Sequence, residues 1–76
     1  MMLDAWMKKN GYTDAAFGCL IARGRLTVLR YRHGQQVPRP AVAKKIETIT
    51  SGEVTAADLY RACMIYHAAV SAEVAA

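Results

Sequence analysis

The residues best suited to chemistry in this 76-residue chain are its cations. Between residues 23 and 45 stand Arg23, Arg25, Arg30, Arg32, Arg39, Lys44 and Lys45, with no Asp or Glu among them. The flanks differ. Residues 1–22 balance Lys8 and Lys9 against Asp4 and Asp14, and residues 46–76 set Arg61 against Glu47, Glu53, Asp58 and Glu73. The net charge of +4 therefore originates in the middle of the chain. A positive middle between neutral and acidic flanks is the electrostatic footprint of a polyanion binder; the plainer alternative is a solvated basic face.

Other chemistry finds less support in the residue pattern. Cys63 and His67 stand four apart, which is ligand spacing on a helix, but no C-x₂-C pair exists and Cys19 and His33 would have to complete the site. No metal is expected, and no disulfide between Cys19 and Cys63 in a cytosolic chain. The cysteines read as one surface thiol and one packed thiol. There is no Gly-rich phosphate loop and no nucleophile paired with a base, so no enzyme, cofactor or small-molecule substrate is expected.

At 54% hydrophobic and 21% charged the chain is globular rather than disordered. A chain this short forms one domain, 1–76, and buries only ~60% of its unfolded surface. The apolar-leaning stretch 62–76 is too short and too polar to span a bilayer, and the lysines near the start follow the apolar residues instead of preceding them as in a secretory signal. The expected compartment is the cytoplasm, with no membrane partner.

The elements that position the cations read as short helices. Helix 1 covers about Leu3 to Asn10 and stops at Gly11. Thr13 caps helix 2, about Asp14 to Ile21, with Tyr12 and Phe17 placed as a hydrophobic staple. Helix 3 runs about Arg25 to His33, with Val28 and Tyr31 inward and Gly34 as its stop. Pro38 and Pro40 break the chain before helix 4, about Pro40 to Thr50, whose inner face is Val42, Ile46 and Ile49. Thr55 and Asp58 form a capping box for helix 5, from about Ala56 toward Ala72. The fold class is all-α, five helices.

The informative unit is TDAAFGCLIARGRLTVLRYRHG, residues 13–34. Phe17 and Ile21 on one helix face Val28 and Tyr31 on the next across a tight turn, and Gly18 sits where the second helix would cross closest. This is the spacing of a helix–turn–helix, whose second helix enters the DNA major groove. Over roughly residues 2–58 the chain resembles the lambda-repressor/Cro superfamily, most of all its short Cro-like, YdaS-like phage and prophage regulators. The resemblance extends to Pro40-Ala41-Val42, Ile46-Glu47, Thr50-Ser51-Gly52-Glu53-Val54-Thr55 and Asp58-Leu59. It implies a compact five-helix domain that binds double-stranded operator DNA as a homodimer and represses transcription. The chain departs from the family pattern in four places. Ala22 stands where a turn Gly is usual, Gly24 where a capping Ser or Thr is usual, Arg23 where an apolar residue is common, and Asp14 where Gln often touches phosphate. Re-registering the turn would put Gly24 in the left-handed conformation instead of Ala22. Asp14 repels DNA, which shifts the expected phosphate contact to Thr13 and to backbone N–H groups.

With Val28 and Tyr31 inward, Arg25, Leu29 and Arg32 share one outward stripe, and Leu26, Arg30 and His33 the next. Arg25 and Arg30 suit the guanine O6/N7 acceptor pair, while Leu26 and Leu29 suit thymine methyls. Thr13, Thr27, Arg32, Gln35, Arg39, Lys44 and Lys45 are expected on the phosphate backbone. Helix 5 offers a dimer stripe in Leu59, Cys63, Tyr66 and Val70, with Met64 and Ile65 on adjacent arcs; the alternative is that it packs across helices 1 and 4 and frays after about Ala69. The competing reading keeps the scaffold but turns Leu26 and Leu29 to a protein, as in an antitoxin or anti-repressor; a third is RNA binding through the same basic face.

Overall fold

In the computed structural model residues 1–75 are described, with side chains through Ser71. The described residues form five helices and no strand: α1 (Leu3–Asn10), α2 (Asp14–Ile21), α3 (Arg25–His33), α4 (Pro40–Ile49) and α5 (Ala56–Ala75). The chain is thus all-α, with α4 one residue shorter and α5 a few residues longer than the pattern predicts. No helix among the described residues is long and apolar enough to cross a membrane.

The first helix pair is held by aromatic packing. Gly11 ends α1 in the left-handed conformation, φ 71°, and Tyr12 N–H donates to the Met7 carbonyl at 2.9 Å. The chain then re-enters α2 through Thr13, whose Oγ1 accepts from Ala16 N–H at 3.1 Å. The expected staple is present, with Tyr12 and Phe17 ring centroids 5.9 Å apart. Trp6 stacks on Tyr12 at 5.3 Å, and its Nε1 donates to Glu53 Oε2 at 2.8 Å, which ties α1 to the segment before α5.

The sequence leaves the left-handed residue of the α2–α3 turn at Ala22 or, in a shifted register, at Gly24, and the structure takes the first. Ala22, not Gly24, adopts the left-handed conformation (φ 55°, ψ 45°), and Gly24 caps α3 in an ordinary extended one. The cause lies in the backbone. Arg23 N–H donates to the Gly18 carbonyl at 2.9 Å, and the Arg23 carbonyl comes so near Gly18 that a Cβ there would lie well under 3.0 Å from it. Gly18 is therefore required by the turn, with the Val28 side chain only in ordinary contact. Once that closure is fixed, Ala22 takes the strained geometry at a cost of roughly 1–2 kcal/mol.

The core gathers Leu3, Trp6 and Met7 from α1, Phe17 and Ile21 from α2, Val28 and Tyr31 from α3, Val42, Ala43 and Ile46 from α4, and Val54 and Leu59 beyond it. Thr50 is buried with them, and its hydroxyl accepts from Val54 N–H at 3.1 Å to close the link toward α5. The expected capping box is formed: Asp58 N–H donates to Thr55 Oγ1 at 3.2 Å and Thr55 N–H to Asp58 Oδ2 at 3.1 Å.

Helix α5 crosses α3 at Gly34, whose φ is 79°. A Cβ at Gly34 would lie well under 3.0 Å from the Ala62 carbonyl, so two backbones meet there. Beyond that crossing α5 leaves the body. A 20-residue helix is about 30 Å long, and every residue from His67 to Ser71 is exposed. One residue of the expected dimer stripe is corrected here. Leu59 is 2% exposed and belongs to the core, and Cys63 and Tyr66 are half-buried on the same inner side. The outward apolar residues are Tyr60, Met64 and Ile65, each more than half exposed, while Val70, on the Leu59 side of the helix but farther along it, is 37% exposed.

These geometries set opposite outcomes for two small substitutions. Ala22→Gly relieves the left-handed strain at an open position and should stabilise the chain by about 1 kcal/mol. Gly34→Ala adds strain and a backbone clash and should destabilise by more than about 2 kcal/mol. Urea unfolding midpoints at constant m-value measure both.

Candidate nucleic-acid interface

Helix α3 divides its residues as its spacing demands. Val28 and Tyr31 face the core. Arg25, Leu26, Arg30 and His33 are exposed, with Leu26 at 56%, and Leu29 and Thr27 are half-buried. Among the described residues neither Arg25 nor Arg30 forms an ion pair. Gln35 and Gln36 continue the exposed surface after the helix, and Arg39, Lys44 and Lys45 are exposed around the start of α4. Thr13 is exposed at the start of α2, and its hydroxyl hydrogen remains available while the oxygen caps the helix. Asp14, Arg25, Leu26 and Leu29 line one shallow hollow, so the α2 N-terminus and the first turns of α3 share a surface.

Arg32 departs from its expected place on the phosphate backbone. Its side chain is only 15% exposed, and three of its N–H groups are engaged. Nε and Nη2 donate to Asp4 Oδ1 at 2.9 and 2.6 Å, and Nη1 donates to Asp14 Oδ1 at 2.6 Å. Lys8 Nζ lies 3.1 Å from the other Asp4 oxygen. The four groups form a neutral cluster joining α1, the first residue of α2 and the last turn of α3. The sequence carries a signal for this. Arg32 is four residues beyond the buried Val28, so it borders the inner stripe of α3 as closely as the outer one.

The cluster shifts its own titrations. Burial pushes the Asp4 carboxyl up, but hydrogen bonds from Arg32 and Lys8 and their charges outweigh it and hold Asp4 below its ordinary 3.8. Burial likewise works against the Arg32 guanidinium, and the bonds to Asp14 and Asp4 outweigh it, raising Arg32 above its usual value. At the α5 cap, the Thr55 backbone N–H lowers Asp58, aided against burial by the Met1 ammonium and the Thr55 hydroxyl.

Cys19 is an exposed free thiol and Cys63 a half-buried one. His67 is exposed and rests edge-on against Tyr66 at 5.5 Å. Among the described residues no three His, Cys, Asp or Glu side chains come together as a metal cluster. The chain matches no family model, and no curated protein or solved structure matches it.

Asp4 and Asp58 are both lowered in the folded chain, so the stability they contribute is complete above pH 3.8 and is lost as pH falls through their folded values. Melting temperatures followed down from neutral pH should hold level and then drop on the acid side. Asp4→Asn should shrink that acid limb while lowering stability at neutral pH; an unchanged limb would assign acid unfolding to other carboxylates.

Proposed function

We propose that this chain is a sequence-specific, double-stranded DNA-binding transcription regulator of the lambda-repressor/Cro-like kind, nearest in type to short YdaS-like phage or prophage repressors. In this reading α2 and α3 are the helix–turn–helix, α3 lies in the major groove, and a homodimer occludes a promoter in the cytoplasm. One observation carries it: α3 fixes Val28 and Tyr31 in the core while presenting Arg25, Leu26 and Arg30 outward, with neither arginine in an ion pair among the described residues. Leu29, half-buried beside them, adds apolar surface within reach of a thymine methyl. Thr13, Thr27, Gln35, Arg39, Lys44 and Lys45 supply phosphate contacts, and Arg32 is withdrawn from that set.

Gel-shift and footprinting titrations against the DNA upstream of its own gene test this reading. A footprint of two half-sites about 34 Å apart is the expected result. Arg30→Ala should weaken the specific complex by about 1–3 kcal/mol and relax choice at one base position. Equal affinity for random duplex would refute sequence reading. The exposure of Leu26 favours one alternative, a protein-binding antitoxin or anti-repressor; a stoichiometric protein partner with no DNA footprint would select it.

The homodimer is assigned to the outward side of α5, where Ala57, Tyr60, Arg61, Met64, Ile65 and Ala68 line an apolar depression. Because these side chains lie outside the core, Ile65→Glu should leave the fold intact while dispersing the dimer. Light-scattering mass across a concentration series should then fall to the monomer value, with wild type remaining at twice that value.

A further inference from the structure

The α2 N-terminus presents an electrostatic conflict. It faces the same surface as Arg25, Leu26 and Leu29, yet its first residue is Asp14. A carboxylate there suits the helix dipole. It also repels any phosphate brought against Thr13 and the first backbone N–H groups of α2. The Asp14 side chain is 27% exposed, so burial alone does not hide its charge.

Arg32 resolves that conflict. We propose that Arg32 is an electrostatic positioning residue that masks Asp14, and Asp4 behind it, from the nucleic-acid phosphates without itself touching them. The inference rests on the reading of α3 as the groove-entering helix and adds to it a residue that acts through another. Its side chain is more buried than that of either acid it binds, at 15% against 27% and 35% exposed, and its guanidinium hydrogen bonds go to the two carboxylates. Lys8 completes the neutralisation on the far side of Asp4. The same hydrogen bonds anchor the last turn of α3 to α1 and α2, which sets how the outward arginines are aimed.

A purely structural clamp and a charge mask predict different signs. If Arg32 only clamps the helices, removing either partner loosens α3 and weakens DNA binding. If Arg32 masks Asp14, Arg32→Met leaves the cluster at net −1 and weakens binding, whereas Asp14→Asn leaves it at +1 and strengthens binding. Each change should be roughly three- to tenfold at low salt and shrink as salt rises. The double variant Arg32→Met/Asp14→Asn restores neutrality and should return toward wild-type affinity.

The experiment is a fluorescence-anisotropy titration of the four proteins with one operator duplex over a range of salt, with circular dichroism melts to verify folding. The slope of log K against log salt is the second readout. If Arg32 itself gripped a phosphate, its removal would reduce that slope by about one unit whether or not Asp14 is present, while a mask predicts that Asp14→Asn in the double variant restores the slope together with the affinity. If Arg32→Met does not fold, Arg32→Gln, which keeps hydrogen-bond donors toward the carboxylates without the charge, takes its place, with the same expected weakening and the same rescue by Asp14→Asn; weakening without rescue overturns the mask. Wild type that binds no duplex at any salt overturns the proposed function and this inference together. Wild type that binds, with a full-unit drop in slope for Arg32→Met and no rescue by Asp14→Asn, overturns this inference alone.

Discussion

A nine-residue helix carrying three arginines and a histidine is far too short to persist alone, since isolated helices need about 12–15 residues even with favourable sequences. Helix α3 exists because Val28 and Tyr31 are buried against the rest of the core, and that burial is tightly registered. At one end the α2–α3 turn closes onto Gly18, and at the other Gly34 admits the α5 backbone beside Ala62. Neither approach tolerates a Cβ. Two backbone-to-backbone contacts therefore fix the rotation of α3 about its own axis, and that rotation decides which arginines face outward. The strained Ala22 follows from the same constraint, because the turn is dictated by the Gly18 contact and not by the preference of the residue within it.

The arginines of α3 divide by their distance around the helix from Val28. Arg32, four residues on, falls at the border of the buried face and finds Asp4 and Asp14 there. Arg25 and Arg30 fall on the open side, and neither forms an ion pair among the described residues. An acid-free run in sequence is thus not acid-free in space. Two carboxylates from the N-terminal flank fold onto its last helical turn and neutralise one of its charges. What remains exposed is a smaller and more directional positive surface than the linear charge map implies.

Much of the fold is legible in the sequence because its punctuation is local. Gly11, Thr13, Gly34, Pro40 and the Thr55–Asp58 pair each act within one helical turn, and the helix boundaries follow them closely. The Tyr12–Phe17 staple is readable for the same reason. Contacts between distant segments are less accessible. That Trp6 reaches Glu53, or that Arg32 reaches Asp4, depends on how α1 lies across the bundle, which no local spacing specifies. The turn is only half legible, because its sequence allows the left-handed residue at Ala22 or at Gly24. Propensity favours Gly24 as its left-handed residue, while the deciding group is the Arg23 carbonyl pressed against Gly18.

Helix α5 shows how the choice of an inner stripe fixes the outer one. Taking Leu59, Cys63, Tyr66 and Val70 as a partner-facing set follows the most regular apolar spacing, but the core claims the best stripe first, and Leu59 is consumed there. The residues left outward are Tyr60, Met64 and Ile65, large side chains on a helix that is apolar on both sides. A helix hydrophobic all round is stable when both sides are covered. On the proposed reading the cover is a second copy. The Gly34–Ala62 contact then acquires a further consequence, because it packs the backbone at the end of the groove-facing helix directly against that of the partner-facing helix. The separation of two α3 helices in such a dimer would be set by the packing of α5 on α5, which makes half-site spacing a property of that helix pair and leaves base choice to Arg25, Leu26 and Arg30.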